Sequence, residues 1–339
     1  MTKDTFPSIP GYTILRQLGQ GGMGAVYLGQ STEDSTKQVA IKVISRPMGD
    51  DNNHSFITRF KREIEICQGL AHENIVSTIA GGVSERGALY LVLEFLPGCT
   101  LEERASKERL SEEKTILIGL KLCDALNCIH NSGLYHRDIK PANIVLHENF
   151  EPILIDFGLA LANNRTRLTE TGLALGTLQT MAPEQLMGKK ISESADIYSL
   201  GATLFFSVTG AYPFSEEEII AVATGMPRRT NLVDKLKGKV SDSFIDVLLC
   251  ALEINPQKRF LSAELFKEAL GDFRKKLPTS KKSKPSGGHA KVGYRKTLLS
   301  LVLLFAAAAA IIIPLSLEQT PPSQSTSHEL LQLRRHLLG

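Results

Sequence analysis

The sequence predicts an α+β fold: a small antiparallel sheet carrying one helix, then a mainly helical portion, then a single apolar span. Three observations predict it. Between residues 12 and 96, short apolar runs alternate with turns, and one helical pattern interrupts them. From Thr100 onward, apolar residues recur at helical spacing. Residues 298–317 are 20 consecutive positions without a charge.

The apolar runs cover residues 12–18, 25–29, 38–44, 75–80 and 89–94, each of strand length and bounded by turn residues. Residues 56–70 form the interrupting helix, with Phe60, Ile64 and Cys67 on one face. Further on, Ser111 is placed to cap a helix whose first turn carries Glu112 and Glu113. That helix runs to about His130 and ends at Gly133. Leu117, Leu120, Cys123 and Leu126 fit its apolar stripe, and no internal repeat is visible.

Residues 298–317, as an unbroken helix, would reach about 30 Å, the thickness of a hydrocarbon core. They show no polar face that would suit a buried globular helix, so the span reads as transmembrane, with Pro314 one turn from its end. Residues 274–296 carry nine Lys and Arg and no acidic residue, which keeps that flank in the cytoplasm. The large N-terminal portion is then cytoplasmic, and residues 318–339 cross as a tail too short for a folded sensor. The basic flank, with Pro278, Pro285, Gly287 and Gly288, reads as a flexible linker; the plainer reading is a solvated linker serving only topology, and contact with anionic lipid is a second role. The expected organisation is a 1–11 extension, portions 12–96 and 97–272, a 273–297 basic juxtamembrane linker, the 298–317 span and the 318–339 tail.

Of the 339 residues, 42% are hydrophobic and 22% charged, which suits a sizeable core. The formal net charge of +3 is too small to imply a nucleic-acid partner. The five cysteines, Cys67, Cys99, Cys123, Cys128 and Cys250, include no Cys-x-x-Cys pair and read as reduced thiols rather than zinc ligands or disulfides. Residues 1–10 lack a signal pattern.

Four motifs carry chemistry. In Leu18-Gly19-Gln20-Gly21-Gly22-Met23-Gly24-Ala25-Val26-Tyr27, glycines at G-x-G-x-x-G spacing let backbone N–H groups approach phosphates. A dinucleotide site has the same spacing but puts a helix next. Here residues 25–28 look like a second strand, so a hairpin is expected. Val39-Ala40-Ile41-Lys42 ends a strand on a lysine; beneath such a hairpin and opposite an acidic residue, that lysine is a phosphate clamp. Glu63, at the edge of the Phe60/Ile64 face, is the expected partner, with Glu65 the competitor. In His136-Arg137-Asp138-Ile139-Lys140-Pro141-Ala142-Asn143, Asp138 can accept a hydroxyl proton, Lys140 adds positive charge and Asn143 offers a carbonyl oxygen to a hard cation. Asp156-Phe157-Gly158 follows the apolar strand Ile153-Leu154-Ile155, placing a carboxylate suited to Mg²⁺.

Each motif is ambiguous alone, but their order and spacing are not. With Met181-Ala182-Pro183-Glu184-Gln185, Asp196-Ile197-Tyr198-Ser199-Leu200-Gly201 and Arg259, residues 12–272 resemble a eukaryotic-type protein kinase domain, in particular the bacterial serine/threonine members. The resemblance implies a bilobal fold, with 12–96 as N-lobe and 97–272 as C-lobe. It implies that ATP lies under residues 18–26, and that Lys42, paired with Glu63, holds its α- and β-phosphates. It makes Asp138 the proton acceptor, Lys140 a γ-phosphate contact, and Asn143 and Asp156 the Mg²⁺ ligands, with Mn²⁺ as a substitute. Leu93 resembles the gatekeeper, and Glu94 to Leu96 the hinge; Val26, Ala40 and Val145 resemble the apolar sandwich around adenine. Glu184 and Arg259 resemble a structural ion pair, and Asp196 the brace of the catalytic loop. Lys140 and Gly176-Thr177 resemble serine/threonine rather than tyrosine members, which implies Ser/Thr hydroxyls of proteins as acceptors. A homodimer for trans-autophosphorylation is common among similar kinases.

Thr166, Thr169, Thr171 and Thr177 lie between Asp156 and Glu184. Phosphate on Thr169 or Thr171 would find Arg137 as a charge-assisted partner; the plainer reading is that these are loop hydroxyls. Thr180 stands where the family usually has an aromatic in the substrate-facing loop, which bears on substrate preference. The complete part list argues against the alternative, a catalytically weak pseudokinase scaffold that binds nucleotide. The Ala182-Pro183-Glu184 segment, which by the resemblance shapes a peptide-binding loop, argues against a small-molecule phosphotransferase of related fold.

Overall fold

The computed structural model of the chain describes residues 6–21, 24–44, 53–85, 87–156, 177–223 and 230–274. Five strands form one sheet: β1 Tyr12–Gly21, β2 Gly24–Ser31, β3 Gln38–Ile44, β4 Thr78–Val83 and β5 Leu89–Glu94. Their order is β1-β2-β3-β5-β4, and each neighbouring pair is antiparallel. Helix α1, Asn53–Gly69, lies between β3 and β4 in the chain.

Strand alternation divides this sheet between structure and site. Val39 and Ile41 of β3 point to one face, where they join Ile9, Tyr90 and Val92 in an apolar cluster. Ala40, Lys42 and Ile44 belong to the other face. At one end of that face Ile44, Leu89 and Leu91 pack against Phe60 and Ile64 of α1. The remaining end, with Ala40 and Lys42 paired across to Leu93 and Leu91, is left to the site.

Element ends shift by a few residues from the sequence expectation, and two differences bear on the junction with the rest of the chain. The fourth strand begins at Thr78 rather than residue 75. Ile75 and Val76 are buried, but they bond out of the sheet: Val76 N–H donates to Leu154 O at 3.0 Å, and Leu154 N–H donates to Asn74 O at 2.9 Å. Their apolar run is therefore a seam to the second lobe. Cys67 is buried with Phe60 and Ile64 as expected, but with Leu70 and Ile75 it joins the large cluster of that second lobe.

The second lobe holds a three-stranded sheet, β6 Cys99–Thr100, β7 Ile144–Leu146 and β8 Pro152–Leu154. Its helices are α2 Leu101–Lys107, α3 Glu112–Asn131, α4 Thr177–Thr180, α5 Pro183–Leu186, α6 Glu193–Thr209, α7 Glu216–Ala223, α8 Leu232–Leu236, α9 Asp242–Ala251 and α10 Ala263–Arg274. Ser111 caps α3 as its sequence suggests, its hydroxyl accepting from Lys114 N–H at 3.3 Å. Gly133, at φ 73°, closes the far end by donating to His130 O at 2.9 Å.

The buried side of α3 is wider than the expected stripe. Cys123 and Leu126 are buried, but Leu117 and Leu120 are only half-buried, and Ile116, Ile118, Leu122, Ala125 and Ile129 carry the core instead. The helix is packed by α6 and α10 from two sides, so a single stripe understates it. Helix α6 is buried from Ser194 to Thr209. Its hydroxyls are satisfied along its own axis: Ser199, Thr203, Ser207 and Thr209 each donate to the carbonyl four residues back, at 2.8–3.1 Å.

Burial pushes the Cys67 thiol up to about 12 and the Cys250 thiol up to about 11, aided by Glu63 and Glu253 respectively, so neither is a reactive thiolate. Residues 275–339, which include most of the basic linker, the apolar span and the tail, lie outside the described residues. Among the described residues no helix is long and apolar enough to cross a membrane.

Candidate active site

The glycine motif forms a hairpin. β1 runs through Gly19 and on to Gly21, which pairs with Gly24 at the start of β2. No helix follows, which removes the dinucleotide reading. Gly22 and Met23 lie outside the described residues. Gly24, at φ 131°, is the position that requires glycine: a Cβ there would lie 1.9 Å from Val43 O. At Gly19 and Gly21 a Cβ would meet nothing within 4 Å, so the protein itself does not demand glycine there.

Below the hairpin, the register sets Val26 opposite Lys42, and Ala40 opposite Leu93. Val145 of β7, buried, pairs with Thr100 and Ile153 in the second lobe. Leu93 and Leu96 are half-buried, Glu94 is exposed, and Glu94 N–H donates to Ser77 O at 3.0 Å. Leu18, 37% exposed, stands at the hairpin edge.

The loop before β7 gathers three of the expected side chains. Lys140 Nζ lies 3.0 Å from Asp138 Oδ2. Asn143 donates its amide to Asp138 O at 2.8 Å and to Asp138 Oδ2 at 3.0 Å. Both Asn143 amide bonds thus go to Asp138, which leaves its side-chain carbonyl as an acceptor. Asp138 and Lys140 are largely enclosed, with 10% and 15% of their side chains exposed.

This loop hangs on Asp196. Its carboxylate, fully buried near the start of α6, accepts from His136 N–H at 2.9 Å, Arg137 N–H at 2.8 Å and the His130 ring at 2.8 Å. Burial alone would raise the Asp196 pKa; the His130 bond, the His130 and His136 rings and the Arg137 N–H outweigh it and hold the carboxyl below its ordinary value. Burial holds the His136 imidazole below its ordinary value, against the pull of Asp196, Asp138 and Asp156. Arg137 sits at φ 66°, a conformation an arginine adopts at a cost, and Asp196 helps hold it there. Gln185 adds a second restraint: its side chain accepts from Ala182 N–H at 3.0 Å and donates to Arg137 O at 3.1 Å.

Asp156 follows β8 and also takes a positive φ, 64°. Lys42 Nζ bonds its Oδ1, joining the two lobes, with only 12% of the lysine side chain exposed. Glu63, the lysine partner expected from sequence, lies half-buried on α1, where its charge acts on Cys67. Lys42 with Asp156, and Asp138 with Lys140 and Asn143, thus form two bonded groups at the seam, joined where Ile155 N–H, next to Asp156, donates to Asn143 O at 2.9 Å. Among the described residues, no group of three His, Cys, Asp or Glu side chains is arranged to hold a metal by itself. An Asn143 carbonyl and an Asp156 carboxylate fit a magnesium ion that keeps waters and phosphate oxygens as its other ligands.

Glu184 and Arg259 form a bidentate pair, at 2.7 and 2.8 Å, with both side chains buried. Arg259 also donates to Glu253 O at 2.6 Å, Ser194 O at 2.9 Å and Ile254 O at 3.1 Å, and stacks on Tyr198 at 4.8 Å. Thr180 is 2% exposed on α4, so it packs inward rather than lining an outer loop surface. Thr166, Thr169 and Thr171 lie outside the described residues, as does the Thr177 side chain. The sequence motifs assign no role to His130 or to the Gln185 side chain. A histidine at a helix end carries no distinctive spacing, whereas Gln185, two residues after a helix-starting proline, stands where a side chain can reach back to the helix entry.

The model of the protein kinase domain family matches residues 12–270, and the chain belongs to that family. It is 36% identical over 268 residues to the serine/threonine-protein kinase PknJ of Mycobacterium tuberculosis, covering 76% of this chain and 44% of that protein. It is 34% identical over 255 residues to the serine/threonine-protein kinase PrkC of Bacillus subtilis, covering 75% of this chain and 39% of that protein. The chain thus spans less than half the length of these curated relatives. A crystal structure of Rad53 in complex with AMP-PNP superposes with a TM-score of 0.62 at 24% identity, over 76% of this chain and 64% of that one, which shows the shared fold.

Proposed function

We propose that the protein transfers the γ-phosphoryl group of ATP to serine and threonine hydroxyls of protein substrates. The observation that carries this reading is the convergence of Lys42, Asp138, Lys140, Asn143 and Asp156 around one seam. Family membership and the two serine/threonine kinase relatives support it.

The chemistry needs positioning and charge cancellation more than covalent help. In this reading Asp138 accepts the proton of the attacking hydroxyl, and Lys140, 3.0 Å from it, offsets charge on the transferred group. The Gly19–Gly24 hairpin covers the phosphates, and Val26, Ala40, Leu93 and Val145 enclose the base, with backbone groups of Glu94 and Leu96 at its edge. Asn143 and Asp156 would hold Mg²⁺, or Mn²⁺ in its place, which when bound neutralises phosphate charge. Lys42 then leaves Asp156 for the nucleotide phosphates, with Glu63 as its steadying partner.

Incubation of the full chain with γ-labelled ATP and a generic acceptor protein tests this. The label is expected on serine and threonine; label on tyrosine alone, or none, would reject the reading. Regulation belongs to the same proposal. Arg137 Nε is buried and has no hydrogen-bond partner among the described residues, as suits an arginine awaiting a phosphate. The double change Thr169→Ala and Thr171→Ala is expected to lower the transfer rate by about tenfold or more, and unchanged kinetics would dismiss loop phosphorylation.

The membrane reading is proposed on sequence grounds: residues 298–317 span the bilayer, the basic 273–297 flank keeps the kinase portion cytoplasmic, and the tail lies outside. Such anchoring favours encounter of two copies, and with it trans-autophosphorylation.

A further inference from the structure

A groove of about 460 Å³ lies between the segment that begins with α5 and the loop that follows α9. Its floor is apolar, with Met187, Ile254 and Pro256 contributing, and Lys189, Lys190 and Lys258 stand around it. All three lysines are exposed, and among the described residues none is in an ion pair. Two acidic residues also line the groove. Glu184 is committed to Arg259, which leaves Glu253 as one negative charge against three positive ones.

We propose that this groove docks an acidic segment of the protein substrate, one carrying an apolar residue among its Asp or Glu side chains; the inference rests on the kinase function proposed above. Uncommitted cations around an apolar hollow complement such a segment in both charge and shape. The hollow has the volume of a ligand site and admits side chains, whereas a flat bilayer surface cannot enter it. Its wall is also tied to the chemistry. Glu184, in the wall, precedes Gln185, whose side chain holds Arg137 O at 3.1 Å, one residue before Asp138. A segment seated in the groove is therefore tethered to the same hydrogen-bonded body as the catalytic loop, and its local concentration at Asp138 rises without any new contact to the acceptor hydroxyl.

The test uses the full chain and two peptides with the same acceptor serine, one joined by a flexible linker to an acidic-apolar tail and one joined to a neutral tail. The wild type is expected to show a KM about tenfold lower for the acidic-tailed peptide, with similar kcat for both, and the gap is expected to close at high salt. The triple variant K189E/K190E/K258E is expected to remove the preference while retaining the wild-type rate on the neutral-tailed peptide and the wild-type thermal midpoint. Equal KM values for the two peptides in the wild type, or a preference that survives the triple variant, would overturn the proposal. Loss of binding to anionic vesicles in the variant, with peptide preference intact, would overturn it in favour of a lipid contact. A wild type that phosphorylates neither peptide nor any generic acceptor would instead strike the kinase reading itself.

Discussion

The Asp138→Asn variant is expected to transfer phosphate about 10²–10⁴ times more slowly than the wild type, while binding nucleotide nearly as well. The carboxylate at this position sits among donors: Lys140 Nζ at 3.0 Å and the Asn143 amide at 3.0 Å both meet Oδ2. An asparagine of the same shape cannot take a proton, and if its amide faced those donors it would repel them. Lys42 and Asp156 are bonded to one another, whereas the printed bonds of the Asp138 carboxylate go to Lys140 and Asn143, so nucleotide affinity should survive. Steady-state kinetics separate the two effects: kcat falls and the KM for ATP stays close to that of the wild type. A parallel loss of nucleotide binding would show that Asp138 supports the site's structure rather than its chemistry.

The second large effect falls on stability. Arg259→Ala removes the partner of a buried carboxylate, Glu184, which is 5% exposed, and also strands the carbonyls of Glu253, Ser194 and Ile254. Breaking a buried pair from one side costs about 3–5 kcal/mol. For a domain of this size that corresponds to a thermal midpoint lowered by roughly 10 °C. Arg259→Lys keeps the charge but not the two-pronged bond, so an intermediate loss is expected. Differential scanning calorimetry decides between these outcomes, and a midpoint unchanged in Arg259→Ala would show that water or a neighbouring cation takes over the carboxylate. Activity should fall with this variant too, because Glu184 and Gln185 are consecutive and Gln185 restrains Arg137.

The strand and helix pattern of the first lobe was readable because turn residues bound each short apolar run there. β3 and β5 begin and end where alternation says they should, and the apolar face of α1 is the one that Phe60 and Ile64 announce. Ile75 and Val76 were misplaced for a physical reason: a run that is apolar on both sides fits a strand, but it fits equally well a seam between lobes, and only the bonds to Leu154 tell them apart. On α3, packing from two sides spread burial beyond a single stripe, and the spacing of Leu117, Leu120, Cys123 and Leu126 could not reveal that.

The site was legible wherever function fixes both residue type and spacing. Asp138, Lys140 and Asn143 stand within one loop, so local sequence alone brings them together. The bond from Lys42 to Asp156 was harder to read, since the two lie 114 positions apart in the chain. The support beneath the loop was less visible still. His130 bonds Asp196 from a helix end, and Gln185 reaches Arg137 O across 48 positions; such contacts between distant segments leave no periodic trace in a sequence.

Calorimetric titration of the full chain with a non-hydrolysable ATP analogue, with and without magnesium, bears most directly on whether these distant residues form one nucleotide site. The expected result is a single saturable event that weakens sharply when magnesium is withheld, because Lys42 must exchange Asp156 for phosphate while the freed carboxylate and Asn143 take the ion. Absence of binding in the presence of magnesium would contradict it.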